Sequence, residues 1–289
     1  MSVSLIIPPR PRDLGEGMVV RRALPFAKKR MVGPFIFWDH MGPVAITEKF
    51  SMTVRSHPHI GLSTLTYLLS GEILHRDSLG NELMIRPGEV NWMTAGNGIV
   101  HSERAHHSHH PQEKLEGIQL WIALPQESEE IAPSFEHFKE KDLPLIKLGQ
   151  LNWRLIAGEY AQTRSPVPTF SPLFYLATKA RTGESAELSV PVEQEGAVYI
   201  AHGEVEIENQ LQGEGHLVVF APGTPVKFKV TKDATLFVFG GTPFAEGRQI
   251  WWNFVASTQD KIDAAKVRWS EQSMGKVPHE VDWIPLPPQ

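Results

Sequence analysis

The sequence predicts an all-β protein of two tandem β-barrels with a short C-terminal helix. Short runs of Val, Ile, Leu, Phe and Thr alternate with 23 glycines and 23 prolines, as expected for strands joined by turns. One strand–turn–strand unit then occurs twice, which indicates two similar β-domains. A chain of 289 residues is long enough for two domains that each bury a core.

Strand-length apolar runs occur along the whole chain, and helical periodicity is rare. The clearest runs are residues 62–69, 82–85, 118–124, 197–201, 217–221 and 235–239. The best helical stretch begins at Ser257, with Ser257 and Asp260 as candidate capping residues. Its apolar residues Ile262, Ala265 and Trp269 share one face.

The repeated unit is recognised from two matching segments. Tyr67–Glu72 reads YLLSGE and Tyr199–Glu204 reads YIAHGE. Each is followed by a polar segment, an apolar strand and a Pro-Gly pair, at Pro87 and at Pro222. The repeat predicts a domain over residues 1–140 and another over 150–289, with the helix in the latter.

Composition narrows the classes of function. The net charge is -5 with acidic and basic residues interspersed, which disfavours direct nucleic-acid binding. There is no cysteine, so a bound metal would need nitrogen and oxygen ligands. Neither a signal-peptide pattern nor an apolar stretch of about 20 residues is present, so we expect a cytoplasmic protein that does not bind membranes.

Two polar pairs carry the candidate chemistry. His57 and His59 are two residues apart, and so are His101 and Glu103. In a strand, residues i and i+2 face the same side, about 6.6–6.8 Å apart. Two adjacent strands with these pairs would place four ligands around one ion. The alternative is that all four are ordinary polar residues on half-exposed strands.

The repeat supplies an internal control for this choice. At the offsets of the repeat, the second copy has no ligand at any of the four positions, which are Ser189, Pro191, Leu236 and Val238. The unit therefore does not need such side chains for its structure. The control favours a metal site in the first copy.

These motifs resemble the cupin superfamily and, closely, its pirin family. The resemblance is carried by residues 57–72, 75–81 and 87–103, and upstream by residues 33–40. It implies two jelly-roll-like cupin barrels, a bicupin, with metal only in the N-terminal one and a degenerate C-terminal one. The family's ligand positions fall on His57, His59, His101 and Glu103. Ile60 and Ser63 stand where Arg and Glu are usual, which predicts a less polar pocket rim.

The resemblance also implies a chemistry. Family members usually carry iron and some show quercetin 2,3-dioxygenase activity, so iron(II) is expected, while the donor set also suits Mn, Ni, Cu or Zn. Glu103 is the candidate catalytic base toward a flavonol-like substrate that reacts with O2. The alternative is a non-catalytic, iron-binding regulator that acts through a protein partner. A cupin isomerase is a third reading, without a specific feature to support it.

Other polar and aromatic residues are given lesser roles. His75 is predicted to lie in a turn or at the surface, and His40 to be a structural or supporting histidine. One of Trp92 and Met93 would line the pocket unless both pack in the core. The His106–His110 cluster is expected to be a solvated loop.

Overall fold

A computed structural model describes residues 1–14, 18–47, 52–105 and 114–288. The helices among them are α1 (Gln259–Ser270) and two 3-10 segments, Gln126–Ser128 and Glu140–Asp142. None of these helices is long and apolar enough to cross a membrane. The strands are β1 (Val3–Ile7), β2 (Pro11–Asp13), β3 (Val19–Leu24), β4 (Phe35–Ala45), β5 (Thr53–His59), β6 (Leu62–Ser70), β7 (Ile73–Asp77), β8 (Glu82–Ile85), β9 (Val90–Thr94), β10 (Ile99–Ala105), β11 (Lys114–Ala123), β12 (Ser134–Phe138), β13 (Leu145–Leu148), β14 (Leu151–Tyr160), β15 (Thr163–Arg164), β16 (Leu173–Ala180), β17 (Ser185–Leu188), β18 (Glu195–Ile207), β19 (Gln210–Gly213), β20 (Leu217–Phe220), β21 (Val226–Gly241), β22 (Gln249–Trp251) and β23 (Phe254–Ala256).

The chain forms two compact units, and neither is continuous in sequence. The N-terminal barrel comprises residues 13–20, 41–138 and 245–289, and the C-terminal barrel comprises residues 1–12, 21–40 and 139–244. These units differ from the predicted ranges 1–140 and 150–289 at both ends of the chain. The physical reason is long-range pairing: β1 completes the sheet of the C-terminal barrel on β20, and β23, on which α1 packs, bridges to Ile60 and contacts β5 and β6 in the N-terminal barrel.

The N-terminal barrel contains two antiparallel strand arrays. Strands β5, β10, β7 and β8 form one sheet in that order, and β12, β9, β6 and β11 are successive neighbours in another. β5 and β10 are rich in polar residues, yet residues 56–59 and 99–103 of these strands are buried. The sheet therefore directs buried polar side chains inward, which is the arrangement a ligand site needs.

The C-terminal barrel is built on the strand order β1-β20-β18-β21-β16-β14-β13. Its interior is an apolar cluster that includes Trp153, Phe174, Val198, Phe228 and Val238. The core of this barrel is thus packed with hydrocarbon from alternate residues of each strand, which share one face of the sheet.

Helix α1 confirms the predicted apolar face and corrects the predicted cap. Ile262, Ala265 and Trp269 are buried, in one cluster with apolar residues of β10 and β23. The N-cap position is Thr258, without a side-chain cap, and the Ser257 hydroxyl donates instead to Glu129 Oε2 at 2.8 Å. Ser257 thus bonds to a distant glutamate and does not cap the first turn of α1.

The repeat is confirmed at its first match and not at its second. Gly71 and Gly203 both adopt the left-handed region, with φ of 77° and 79°, at the same turn of the unit. The Pro-Gly pairs are not equivalent, because Pro87 precedes β9 whereas Pro222 follows β20. The offset used for the second half of the unit was therefore wrong.

Candidate metal centre

Three of the predicted ligands meet inside the N-terminal barrel. Antiparallel pairing places His57 of β5 directly opposite His101 of β10. The His57 and His101 ring centroids lie 4.3 Å apart, and each lies 5.0 Å from the His59 ring centroid. One nitrogen from each ring lies within 4.8 Å of the others, and all three side chains are buried. This spacing suits three imidazoles around a single ion.

Hydrogen bonds fix the orientation of two of these rings. His57 Nδ1 lies 2.8 Å from the Arg55 carbonyl oxygen, and His59 Nδ1 lies 3.1 Å from that of Asn253. A carbonyl only accepts, so each Nδ1 carries the proton and each Nε2 keeps a free lone pair. Backbone acceptors of this kind commonly hold the histidine ligands of metals.

His101 supplies the test of whether a metal fits. Both of its ring nitrogens are buried without a hydrogen-bond partner among the described residues. Leaving such groups unpaired costs about 1–3 kcal/mol, so a buried orphan needs an explanation. Coordination of an ion by His57, His59 and His101 would satisfy one of the two nitrogens of His101, and the residues present therefore fit a metal.

Burial also sets the protonation of the three imidazoles. Desolvation lowers the pKa of His57 to about 4 and holds the pKa of His59 and His101 well below the ordinary value. All three rings are therefore neutral at neutral pH. Metal coordination requires this neutral form.

Glu103 lies on the same strand as His101 but outside the group of three histidines. It is buried, and burial raises its pKa above the ordinary value. Pairing between β5 and β10 shifts register between His101 and Glu103, so Glu103 faces Val54. Its nearest described hydrogen-bond donor is the Thr66 hydroxyl, at 3.4 Å. That contact leaves the carboxylate with acceptor capacity for a ligand.

His75 is a buried neighbour that the sequence prediction placed wrongly. It lies on β7 opposite Glu103, stacks on Phe135 with centroids 4.3 Å apart, and has its ring centroid 5.4 Å from that of His101. Its Nε2 contacts Asp77 Oδ2 at 3.1 Å. A detectable signal was present, because His75 and Asp77 repeat the i, i+2 spacing of the other pairs.

Asp77 anchors this histidine. Burial alone would raise its pKa, but hydrogen bonds from His75 and Asn81 outweigh desolvation and lower it. The Asn81 side-chain amide reaches both carboxylate oxygens, at 3.1 and 2.9 Å. Asp77 is thus an ionised, fixed acceptor that holds His75 in one orientation.

Two departures from the family pattern prove to be packing residues. Ile60 is buried in the cluster that contains Val100 and Phe254. The Ser63 hydroxyl, fully buried, lies 3.2 Å from Thr94 Oγ1. The less polar pocket rim predicted at these positions stays a prediction, because burial alone does not decide the polarity of the rim.

The remaining candidates lie elsewhere. His40 belongs to the C-terminal barrel, where its Nδ1 contacts the Tyr199 hydroxyl at 3.1 Å, in line with the structural interpretation. Trp92 and Met93 are both buried, and Trp92 Nε1 donates to Thr94. The His106–His110 cluster lies outside the described residues.

Strand register gives a sharper internal control than the sequence offsets. Because Gly71 and Gly203 are equivalent, His75 corresponds to Ile207, and their partners Glu103 on β10 and Phe228 on β21 correspond in turn. Two residues earlier on these strands, His101 corresponds to Val226 and its partner His57 to Leu188. The four counterparts are Ile207, Phe228, Val226 and Leu188. All of these are buried apolar residues. The offsets failed because β21 runs unbroken where the first copy has two strands, β10 and β11.

Comparison with known proteins agrees with this architecture. The family profile described as Pirin matches residues 17–122, and the Pirin C-terminal cupin domain matches residues 175–275. A pirin-like protein of Caulobacter vibrioides is 48% identical over 291 residues, covering 99% of both chains. The chain belongs to the pirin family. Its fold is the bicupin expected from the sequence.

Solved structures extend the comparison. A crystal structure of quercetin 2,3-dioxygenase from Acinetobacter baumannii is 34% identical, covers 99% of this chain and 95% of its own, and superposes with a TM-score of 0.91. A bacterial pirin from Escherichia coli, solved in complex with nickel(II), shares the fold at 19% identity, with 83% and 100% coverage and a TM-score of 0.65.

Proposed function

We propose that this pirin-family chain is a metal-dependent dioxygenase that cleaves quercetin or a related flavonol with O2. Its metal would be held by His57, His59, His101 and Glu103, with Glu103 as the catalytic base. The observation that carries the proposal is the buried, unpartnered imidazole of His101 facing two oriented histidines. The likeness to a quercetin 2,3-dioxygenase over nearly the whole chain supports the substrate class.

The donor set suits several ions. Three neutral nitrogens and one carboxylate can hold iron(II), manganese, nickel, copper or zinc, and we propose iron(II) because the pirin-family resemblance implies it. Bound in this site, such an ion would supply Lewis acidity toward an oxygen of the substrate. The protein's own part is to keep His57, His59 and His101 neutral and fixed, which burial and the Nδ1 hydrogen bonds achieve.

In this proposal Glu103 removes the acidic hydroxyl proton of the flavonol. Its buried carboxylate lies on the same strand as His101, two residues away, and its one described hydrogen bond leaves it able to accept a proton. Aromatic rings lie against the histidines: Trp121 is 5.2 Å from His59 and Phe135 stacks on His75. Apolar walls of this kind favour a flat aromatic substrate and reduce the access of water.

The test is oxygen consumption with quercetin by protein loaded with iron(II), beside a His101→Ala variant and parallel metal analysis. We expect consumption to follow bound iron and to vanish in the variant. A loaded, folded wild-type protein that consumes no oxygen would refute the enzyme. That outcome would favour the regulatory alternative, for which a protein partner would then be sought.

The role of Glu103 needs a variant that separates binding from chemistry. Glu103→Gln keeps the size and an oxygen donor but removes the base. We expect it to retain iron and to lose oxygen consumption by roughly 100-fold or more, the usual scale for a general base. Full activity in an iron-loaded Glu103→Gln variant would exclude the base role and leave the metal site in place.

A further inference from the structure

We propose that the C-terminal tail, residues 276–288, positions the metal ligands by clamping the bulge between β5 and β10. The proposal rests on the metal site of the proposed function. The tail lies beyond both family profile matches, which end at residues 122 and 275. It belongs to the compact unit that contains the histidines.

The bulge lies between the two pairs of predicted ligands. His101 pairs with His57, whereas Glu103 pairs with Val54, so Ser102 alone faces two residues of β5, Arg55 and Ser56. A bulge re-aims the side chains beside it and interrupts the hydrogen-bonded ladder. The geometry of the ligands therefore depends on how this irregular segment is held.

Glu280 holds the β10 side of the bulge. Its side chain is only 2% exposed, and its carboxylate accepts hydrogen bonds from Ser102 Oγ at 3.1 Å, Arg104 Nε at 2.8 Å and Arg76 Nη1 at 3.2 Å. Ser102 and Arg104 alternate with His101 and Glu103 along β10. Because side chains alternate across a strand, Glu280 binds the outer face of the segment whose inner face carries the ligands.

The next residues of the tail hold the β5 side. β5 is the edge strand of its four-stranded sheet, so its outer main-chain groups are available for pairing. The Ile284 amide donates to the Ser56 carbonyl oxygen at 2.8 Å, and Trp283 forms a parallel bridge with Ser56. The Arg55 guanidinium also donates to the Trp283 carbonyl oxygen, at 3.4 Å. The Arg55 carbonyl is in turn the acceptor that orients His57.

The tail is itself anchored. The Trp269 indole donates to the Ile284 carbonyl oxygen at 3.0 Å, and Val277 packs in the same buried cluster as Trp269. Hydrogen bonding to Arg104 lowers the pKa of Glu280 to about 2, so its carboxylate is ionised at neutral pH. The buried, charged Glu280 therefore holds β10, and Ile284 holds β5 on the other side of the bulge. Trp269 connects this tail to α1.

The test measures metal affinity and ligand geometry, not turnover. Cobalt(II) is the probe, with chelator competition for the dissociation constant and visible absorption for the coordination geometry. Loss of a direct hydrogen-bond partner of a metal ligand weakens binding by roughly 10- to 100-fold, and Glu280 acts one contact further out. We therefore expect Glu280→Gln to weaken cobalt(II) binding by roughly 10-fold and to shift the absorption bands. Glu271→Gln is the matched control, because it alters an exposed glutamate at the end of α1, just before the tail. It should leave the cobalt(II) affinity and the absorption spectrum unchanged.

Unchanged affinity and an unchanged spectrum in folded Glu280→Gln would overturn the proposal. If that variant does not fold, Ser102→Ala removes a single bond of the clamp and should move both readouts in the same direction, by a smaller amount. An unaltered Ser102→Ala would equally overturn it. The cobalt(II) experiment does not depend on enzyme activity, so the two proposals can fail separately. If the wild type binds cobalt(II) but does not consume oxygen with quercetin in the earlier test, the dioxygenase is refuted and the clamp is not.

Discussion

Replacing His101 by leucine should stabilise the metal-free protein while abolishing metal binding. Each buried nitrogen without a partner costs about 1–3 kcal/mol, and both nitrogens of His101 are of this kind. Leucine is close to histidine in volume, and such swaps cost less than about 1.5 kcal/mol. The counterpart Val226, which is fully buried, shows that an apolar side chain is accommodated at this point of the repeat. We expect a net gain of about 1 kcal/mol, or about 2–4 °C in Tm.

The assay is thermal and urea denaturation of wild type and His101→Leu, first in chelator and then with saturating iron(II). In chelator the variant should be the more stable protein. With metal the order should reverse, because only the wild type gains binding free energy in its folded state. His216→Leu is the control: His216 contacts the Gly213 carbonyl at 3.0 Å, so its loss should not stabilise either sample. A metal-free His101→Leu that is less stable than wild type would refute the reasoning.

Three further predictions concern stability. Trp269→Ala should lower the free energy of unfolding by about 3–5 kcal/mol in urea, whereas the exposed Val267→Ala should change it by less than about 0.5 kcal/mol. Gly203→Ala should lower Tm markedly, because a Cβ there would collide with the Asp233 carbonyl at a positive φ, while Gly213→Ala meets no neighbouring atom. The stability that ionised Glu280 contributes is present above its ordinary pKa of 4.5 and lost as the pH falls toward about 2, so acid unfolding curves of wild type and Glu280→Gln should converge over that range.

Local signals in the sequence predicted much of the fold. Apolar runs between turn residues predicted strands such as β6 and β8, and the periodic residues Ile262, Ala265 and Trp269 predicted the buried face of α1. The i, i+2 spacing of His57 and His59 was sufficient to place both rings on one face, because the period of a strand is two.

Long-range contacts could not be predicted in this way. The terminal segments join the units they do because β1 pairs with β20 and Phe254 of β23 bridges to Ile60, contacts between residues more than 190 positions apart in the chain. His75 appeared to be a surface residue because Phe135, which covers it, lies on a distant strand. The tail was assigned to the wrong domain for the same reason: its partners, Ser56 and Ser102, are far away in sequence.

The central claim is that His57, His59, His101 and Glu103 hold one metal ion in the N-terminal barrel. Its most direct test is anaerobic loading with iron(II), removal of free metal, and metal analysis of wild type beside a folded His101→Ala variant. The account predicts one iron per chain in the wild type and none in the variant. Iron retained at the same level without His101 would contradict it.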